Sequence, residues 1–412
     1  MTSRERVLRA INHQEPDRVP IDLGATRQSG ISASSYHRLK KYLGLETPTQ
    51  MVDLIQMLAE VEQPVLDRLG VDAVGVFRPE TNPGLGIRKE NWKPWQLFDG
   101  TPVLVPGGFD PVLEPEGSYA MLRNGVPIAR MPADGFYFER VEKFPGAAHL
   151  DVDKWQPHLW TNEEIECVQA RSEWLRKNTD YALIACVNPP QEFFTGMGTG
   201  DFEAWWSTLG SEPEYVHALF QKNVEHWLIN LKRFAQAVGD KVDIIQFTDD
   251  FGTQQSLLLS VKMFRELILP YYKKGFDWIH QNTKYKTMLH TDGAIFPLIP
   301  SLIEMGVDIL NPVQVNAKGM DPVKLKAAYG DKIVFWGGSA DCQQTLAFGT
   351  PEDVAREVET NVTALAPGGG LVIASVHNIQ TGVPPENVIA LFDTARNMSV
   401  YSGAYAPSTV LA

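Results

Sequence analysis

Residues 286–314 read KTMLHTDGAIFPLIPSLIEMGVDILNPVQ. An apolar run that ends at His290 is followed by a helical pattern and then by a second apolar run that begins at Asp308. Apolar runs without polar alternation are typical of strands that are buried on both faces of a parallel sheet. The stretch therefore predicts one strand–helix–strand unit, the building block of α/β folds.

The same alternation extends over most of the chain. Its helical segments carry expected signals, such as Thr350 as N-cap with Pro351 at the first helical position. About eight strands, each followed by a helix, close a (β/α)8 TIM barrel, which is the α/β fold that we predict. The alternative, an open doubly wound sheet, lacks its usual GxGxxG turn. The predicted strands lie within residues 18–24, 72–77, 181–187, 243–250, 286–290, 308–314, 332–338 and 371–375.

Residues 92–154 interrupt the alternation. The region is rich in Gly and Pro, and Asn124-Gly125 between two alternating segments predicts a β-hairpin turn. Long insertions in barrels usually occupy the βα loops. We therefore interpret residues 1–412 as a single barrel domain in which residues 92–154 form a small antiparallel insertion near the barrel mouth.

The composition restricts the class of partner. The chain has 37 Lys+Arg against 50 Asp+Glu, a net charge of -13, which disfavours nucleic acid. Its three cysteines form no CxxC pair, so neither a disulfide framework nor a zinc ribbon is expected. The start lacks a signal-peptide pattern, and no apolar run approaches the ~18 residues of a membrane span. We expect a soluble, cytoplasmic protein without a membrane partner.

Polar side chains follow nearly every predicted strand, where a barrel carries its active site. His290 and Asp292 are two residues apart and can point the same way, and His377 follows a later strand. Imidazole and carboxylate groups suit zinc and its neighbours. In a purely structural alternative, His290 and Asp292 bond each other and cap a helix at Ala294. The other candidates at strand ends are Asp249, Asp250, Gln191, Glu192, Asn311, Gln314 and Asn378.

Several of these candidates have two interpretations. Asp249 and Asp250 suit either helix caps or a general base and substrate clamp. Cys342 suits a packed thiol better than a ligand. The aromatic pair Phe193-Phe194 and the stretch DFEAWWSTLG suit either an apolar pocket or, more commonly, a core.

Four stretches resemble the uroporphyrinogen decarboxylase superfamily: RERVLRAINHQEPDRVPI, LSVKMFRELILPYYKKGFDWI, MLHTDGAIFPLIPSLIEMGVDILNPVQ and GGGLVIASVHNIQTGVPPENVIAL. The resemblance implies a TIM barrel with its site at the C-terminal mouth. It also implies one of two activities. Some members decarboxylate uroporphyrinogen, and others transfer methyl groups to or from a corrinoid, usually with zinc.

Two departures from the family motifs favour the second activity. The decarboxylase motif RQAGRY stands here as Arg27-Gln28-Ser29-Gly30 without its second arginine, and one arginine is too few for a substrate with eight carboxylates. The thiol-directed methyltransferases carry H-x-C-G and a later zinc-binding cysteine. Here the motif is His290-Thr291-Asp292-Gly293, and the later position offers His377. Oxygen and nitrogen ligands leave a metal more Lewis acidic, which suits an ether oxygen.

The resemblance thus implies transfer of a methyl group from a small O-methylated, methoxyaromatic-type donor to the cobalt of a separate corrinoid protein. Zinc would be held by His290, Asp292 and His377, and Asp249 or Asp250 would orient the substrate or supply a proton. The alternatives are a decarboxylase of a small carboxylated substrate, with His377 as proton donor and Arg27 as carboxylate clamp, and a binding protein that lost catalysis. A homodimer is compatible with the family, whose members often dimerise. The expected substrate contacts are Arg27, Gln191, Glu192, Asn311, Gln314 and Asn378.

Overall fold

The computed structural model describes residues 1–82, 84–144 and 150–401. Residues 145–149 of the predicted insertion, and residues 83 and 402–412 of the predicted domain, lie outside the described residues. The helices in the described ranges are α1 (Ser3–Ile11), α2 (Ala33–Tyr42), α3 (Gln63–Leu69), α4 (Asn162–Asn178), α5 (Phe202–Ser211), α6 (Pro213–Val238), α7 (Val261–Met263), α8 (Leu269–Asn282), α9 (Ile299–Met305), α10 (Pro322–Tyr329), α11 (Thr345–Phe348), α12 (Pro351–Leu365) and α13 (Pro385–Asn397). The strands are β1 (Met51–Asp53), β2 (Leu58–Ala59), β3 (Ala73–Val76), β4 (Lys93–Gln96), β5 (Pro102–Val105), β6 (Val112–Leu113), β7 (Tyr119–Arg123), β8 (Val126–Met131), β9 (Glu139–Arg140), β10 (Ala182–Cys186), β11 (Ile244–Thr248), β12 (Lys286–His290), β13 (Ile309–Asn311), β14 (Val334–Trp336) and β15 (Leu371–Val372).

The central sheet is parallel, with the order β15-β14-β13-β12-β11-β10-β3. Neighbours in the sheet are therefore neighbours along the chain, as in a barrel. Most intervening segments are helical, including α12, which begins with a capping box at Thr350 as predicted. The α/β prediction and the TIM-barrel-like architecture are confirmed.

The predicted first strand, residues 18–24, is reduced to one bridge between Ile21 and Ile373. Pro20 has no N–H, which limits the ladder that this segment can form. The segment nevertheless bonds both edges of the curled sheet. The N–H of Asp22 donates to the Ile373 carbonyl at 2.7 Å, and the N–H of Asp72 donates to the Ile21 carbonyl at 2.7 Å. It thus occupies the place of the missing strand.

Helix α1 covers the N-terminal end of the sheet. Val7, Ala10 and Ile11 pack with inward-facing strand residues such as Met288 and Trp336. Below them, two arginines bracket the buried Asp72 carboxylate, Arg6 at 2.6 Å and Arg18 at 2.7 Å. With this end filled, the C-terminal ends of the strands are the accessible end of the barrel, which is where barrel enzymes place their sites.

The inserted region is antiparallel, as predicted. Strands β6 to β9 form one small sheet and β4 pairs with β5. The hairpin turn falls at Asn124 and Gly125, with φ angles of 52° and 78°, and β7 and β8 flank it. The boundaries of the insertion stay a prediction. Among the residues that the structure describes, no helix is long and apolar enough to cross a membrane.

Two glycines let the loops after β11 and β12 touch backbone to backbone. Gly293 has a φ of +96°, and a Cβ there would lie 2.5 Å from the carbonyl carbon of Gly252 and 2.6 Å from the Thr253 oxygen. The Ala294 N–H donates to that same Thr253 oxygen. Only glycine fits both the left-handed backbone and this approach. The loop contact therefore holds Asp292 and Gly293 next to Asp250, whose carboxylate accepts the Asp292 N–H.

We therefore expect Gly293→Ala to lower the free energy of unfolding by about 3 kcal/mol, since it adds a clash with backbone to an unfavourable φ. Thermal and urea unfolding of the purified protein measure this. Gly125→Ala is the matched control, because Gly125 also has a positive φ but open space around it, so about 1 kcal/mol is expected. Equal losses for the two variants would show that the loop contact is unimportant.

Candidate functional site

Three neighbouring strands end with polar residues side by side. The register pairs Thr248 of β11 with His290 of β12, and His290 with Asn311 of β13. In a parallel sheet the strand ends lie at one edge, so these three side chains share the rim of the barrel. His290 stands in the middle of them.

The Asn311 side chain fixes the orientation of the His290 ring. The amide nitrogen of Asn311 donates a hydrogen bond to the Trp336 carbonyl oxygen at 3.2 Å. A carbonyl oxygen can only accept, so this contact identifies which end of the Asn311 amide is the nitrogen. Its amide oxygen therefore faces His290, and Nδ1 of the ring donates to it at 2.8 Å. Nε2 is left to face the barrel mouth. Such support of a ligand-type histidine by a second hydrogen bond is common in metal sites.

His290, Asp292 and His377 converge at the mouth, as the sequence predicted. Oδ2 of Asp292 lies 3.5 Å from Nε2 of His290 and 3.8 Å from Nε2 of His377. One ligand-type atom from each residue lies within 4.8 Å of the other two. His290 and His377 come from strand ends that are far apart in the chain, and the loop after β12 supplies Asp292. The helix-cap alternative for Asp292 fails, because the Ala294 N–H bonds Thr253 instead.

The charges of this cluster favour a proton or another cation. Burial opposes a charged His290 ring, but Asp292, Asp250 and the Asn311 hydrogen bond outweigh it and raise the pKa of His290 to about 9. Burial lowers the pKa of His377, although Asp292 opposes that shift. The pKa of Asp292 is lowered by the two histidines despite its burial. A dication placed among these atoms would meet an anionic carboxylate and two ring nitrogens.

A cavity of about 850 Å³, which we call the main cavity, opens at the end of β11; His290, Asp292 and His377 are not among its lining residues. It is lined by Thr248, the neighbour of His290, and by Glu192, which accepts hydrogen bonds from the hydroxyls of Thr248 and Thr195. Burial raises the pKa of Glu192. The predicted substrate contacts Arg27, Gln191 and Glu192 all line this cavity, together with the aromatic rings of Phe77, Phe144 and Trp160.

Arginines from the insertion and neighbouring loops enter the main cavity, and the sequence argument missed them. The sequence analysis considered only Arg27 of the family motif, whereas the cavity is also lined by arginines outside that motif. Most of these charges are paired, however, in the ion pairs Arg27–Asp53, Arg78–Glu164, Arg88–Glu163 and Arg123–Glu142. Arg140, of the insertion, also lines the wall. The wall is therefore close to neutral, which suits a substrate of low charge better than one with eight carboxylates.

Asp249 and Asp250, although adjacent, have different surroundings. The Asp249 carboxylate is buried and accepts hydrogen bonds from the Phe194 N–H, the Thr195 N–H and hydroxyl, and the Tyr272 hydroxyl. Burial and the nearby Glu192 raise its pKa to about 7. Asp249 thus holds the loop after β10. Asp250 is 45% exposed, accepts the Asp292 N–H at 3.0 Å, and lies 4.0 Å from His290.

Three predicted substrate contacts have supporting roles instead. Asn311, Gln314 and Asn378 are at most 5% exposed. Gln314 accepts the Gly293 N–H at 2.8 Å, and Asn378 donates to Gln56 and accepts from Gln380. Their polar atoms form hydrogen bonds with other residues of the protein, because buried polar groups need hydrogen-bond partners.

The remaining candidates match their structural interpretations. Phe193 and Phe194 are buried core residues, and Trp205 packs beside them and donates to the Phe194 carbonyl. Cys342 lies near Asp292, but its thiol does not belong to the three-residue cluster. Burial raises the pKa of that thiol to about 11.

The donor set fits zinc. Two imidazoles and one carboxylate are a ligand combination of catalytic zinc sites, which leave a fourth position for substrate or water. His290 presents Nε2 because Asn311 holds Nδ1, and the adjoining main cavity supplies room for a substrate. Asn311 could not be recognised as this supporting residue from sequence, since its pairing with His290 depends on strand register.

Barrels with a cation-type cluster at the strand ends and an adjoining cavity are a recurrent enzyme architecture. The chain belongs to the uroporphyrinogen decarboxylase family: the family profile "Uroporphyrinogen decarboxylase (URO-D)" matches residues 146–398, more than half of the chain. The relatives of known name described next are uroporphyrinogen decarboxylases.

Individual relatives are distant. The uroporphyrinogen decarboxylase of Serratia proteamaculans is 24% identical over 278 residues, which cover 64% of this chain and 74% of that protein. That of Psychromonas ingrahamii is 24% identical over 192 residues, 46% of this chain and only half of that protein. A solved structure, a methyltransferase from Methanosarcina mazei, superposes with a TM-score of 0.57 at 17% identity, covering 96% of this chain and 98% of the other. This likeness supports the fold.

The pKa of His290 gives a pH-dependence for the metal-free protein. Because its value of about 9 in the folded state exceeds the unfolded value near 6.5, the ring stabilises the fold fully below about pH 6.5 and loses that contribution as the pH rises through about 9. Asp292→Asn should lower the pKa of His290 and remove the loss of folding stability at alkaline pH. NMR titration of the imidazoles and unfolding from about pH 6 to about pH 10 measure both effects.

The exposed Asp240, which pairs with Lys284, supplies the control Asp240→Asn, which should leave the His290 titration unchanged. An unshifted His290 titration in Asp292→Asn would contradict the described electrostatics.

Proposed function

We propose that the protein is a methyltransferase that passes a methyl group from a small O-methylated compound to the cobalt of a separate corrinoid protein. The observation that carries the proposal is the meeting of His290, Asp292 and His377 at the rim of the barrel beside the main cavity. Zinc bound by these three residues would act as a Lewis acid toward the leaving oxygen of the donor.

The protein's own residues would orient the donor and handle a proton. Transfer breaks the O–CH3 bond and gives the methyl group to cobalt(I), whose electron pair forms the new bond. The oxygen keeps the electrons of the broken bond and must gain a proton. Asp250, partly exposed and next to Asp292, is the proposed donor of that proton. Asp249 would hold the loop after β10 and so shape the cavity.

A methoxyaromatic donor is proposed from the lining of the main cavity. Phe77, Phe144 and Trp160 offer aromatic surface, and the ion pairs leave little uncompensated charge. Arg27, Gln191 and Glu192 are the proposed polar contacts of the donor. The corrinoid protein is proposed to dock over the C-terminal end of the barrel, since α1 covers the other end.

Purified protein mixed with zinc, a reduced corrinoid protein and a panel of methoxyarenes should form methylcobalt, seen in the visible spectrum. His290→Ala should lower zinc content from about one per chain and reduce the rate by at least about a hundredfold, because one of three ligands is lost. His226→Ala is the control, since His226 bonds a helix carbonyl away from the cluster. If the zinc-loaded protein transferred a methyl group from none of the donors, the proposal would be contradicted.

A second candidate is decarboxylation of a small carboxylated substrate. It is favoured by Arg27, which forms an ion pair with Asp53 at 2.8 Å on the wall of the main cavity. In this case Arg27 would bind the carboxylate and His377 would donate the proton.

Release of carbon dioxide without corrinoid, lost in Arg27→Met and in His377→Gln, is the expected result for this second candidate. Lys143→Met removes a cation from the same wall without touching Asp53 and serves as the control. Unchanged release in both variants would exclude the two assigned roles.

A further inference from the structure

A second cavity of about 650 Å³ lies beside the main cavity; we call it the side cavity. It lies between the loop that follows β3 and helix α4. The two cavities share a wall formed by Phe77, Arg78 and Pro79. The methyl-transfer proposal does not use the side cavity, so its lining needs a separate explanation.

The wall of the side cavity includes a half-buried lysine, Lys89, without a close carboxylate. Among the described residues, no carboxylate lies within 4.0 Å of the Lys89 ammonium, which instead lies 5.0 Å from the centre of the Phe77 ring. Arg27 approaches the same ring at 5.8 Å from the main cavity. A half-buried ammonium without a carboxylate in contact is less favourable than one in water, although the charges of Glu60 and Asp53 act on it from farther away. Burial, followed by repulsion from Arg27, accordingly lowers the pKa of Lys89 to about 8.

The acidic residues of the side cavity do not balance its cations. Glu62 is paired with Lys40 at 2.7 Å, and Glu90 lies 3.5 Å from Arg88. Arg78 and Arg88 are in turn matched by Glu164 and Glu163. Lys89 and Arg171 then face one exposed acid, Glu60, which lies beyond ion-pair distance of both. Lys89 and Arg171 are therefore the two cations of this wall that form no ion pair within the described part of the chain.

Aromatic and apolar groups line the path from Lys89 to solvent. On α4, Cys167, Arg171 and Trp174 share one face, and Arg171 lies over the Trp174 ring at 5.1 Å. Trp174 is 53% exposed, which is unusual for tryptophan on a surface without a ligand. Leu66 and Leu175 complete the apolar lining.

We propose that the side cavity binds a small carboxylate on a flat apolar body, with Lys89 as the inner contact of the carboxylate and Arg171 and Trp174 at the rim. The ligand supplies the negative charge that Lys89 lacks, and its apolar body covers Trp174. Bound there, it touches Phe77 from one side while a substrate in the main cavity touches the same wall from the other. The site does not depend on zinc, on a corrinoid or on the reaction proposed above.

Benzoate is the probe, and Cys167, which lines the side cavity, is the reporter. Alkylation of Cys167 in the full-length protein by iodoacetamide is followed by peptide mass spectrometry. Benzoate should slow it at least about fivefold in the wild type, while the neutral analogue benzamide should not. Lys89→Met should remove the effect, and Arg171→Met should weaken benzoate binding about tenfold, as expected for one charge-assisted hydrogen bond.

Lys284→Met, a cation removed from an exposed position elsewhere, is the matched control and should leave the protection of Cys167 intact. Cys186 lines the main cavity and reports benzoate bound there instead. The thermal midpoint of Lys89→Met should stay close to that of the wild type, because Lys89 forms no ion pair in the described part of the chain, and this measurement checks that the variant is folded. No protection in the wild type, or equal protection in Lys89→Met, would overturn the proposal.

Discussion

The hydrogen bond between Nδ1 of His290 and the amide oxygen of Asn311 is the interaction on which the site depends. It exists because β12 and β13 are parallel and in a register that sets these two residues side by side. Trp336, on the next strand, orients the Asn311 amide in turn. Three adjacent strands therefore decide which nitrogen of His290 faces the mouth. Without this order, Asp292 and His377 would be two polar side chains near a disordered imidazole.

Much of this fold was predictable, because strands buried on both faces leave continuous apolar runs. Seven of the eight predicted strands are present, and the eighth persists as the bonded segment around Ile21. The cluster was predictable in part, since His290, Asp292 and His377 each follow a strand, and all strands end at one rim. Partners such as Asn311 and Asp53 were not recognisable in these roles. Their contacts depend on the register between strands and on the positions of loops. The periodicity of apolar residues in the sequence reveals neither of these.

The main cavity and the side cavity differ in how their charged side chains are paired. The sequence alone shows only that the chain is acidic on average. In the main cavity, arginines from the insertion and the loops are paired with carboxylates, so an arginine count alone misjudges its substrate. In the side cavity, no carboxylate of the described residues lies within ion-pair distance of Lys89. The chain belongs to the uroporphyrinogen decarboxylase family, and our proposal of methyl transfer rests on the local chemistry of the strand ends.

The most direct test of the account is anomalous diffraction at the zinc edge from crystals of the zinc-loaded protein. We expect one strong peak within bonding distance of Nε2 of His290, Nε2 of His377 and a carboxylate oxygen of Asp292, about 2.0–2.2 Å from each. A peak elsewhere, or none between these three side chains at full zinc loading, would contradict it.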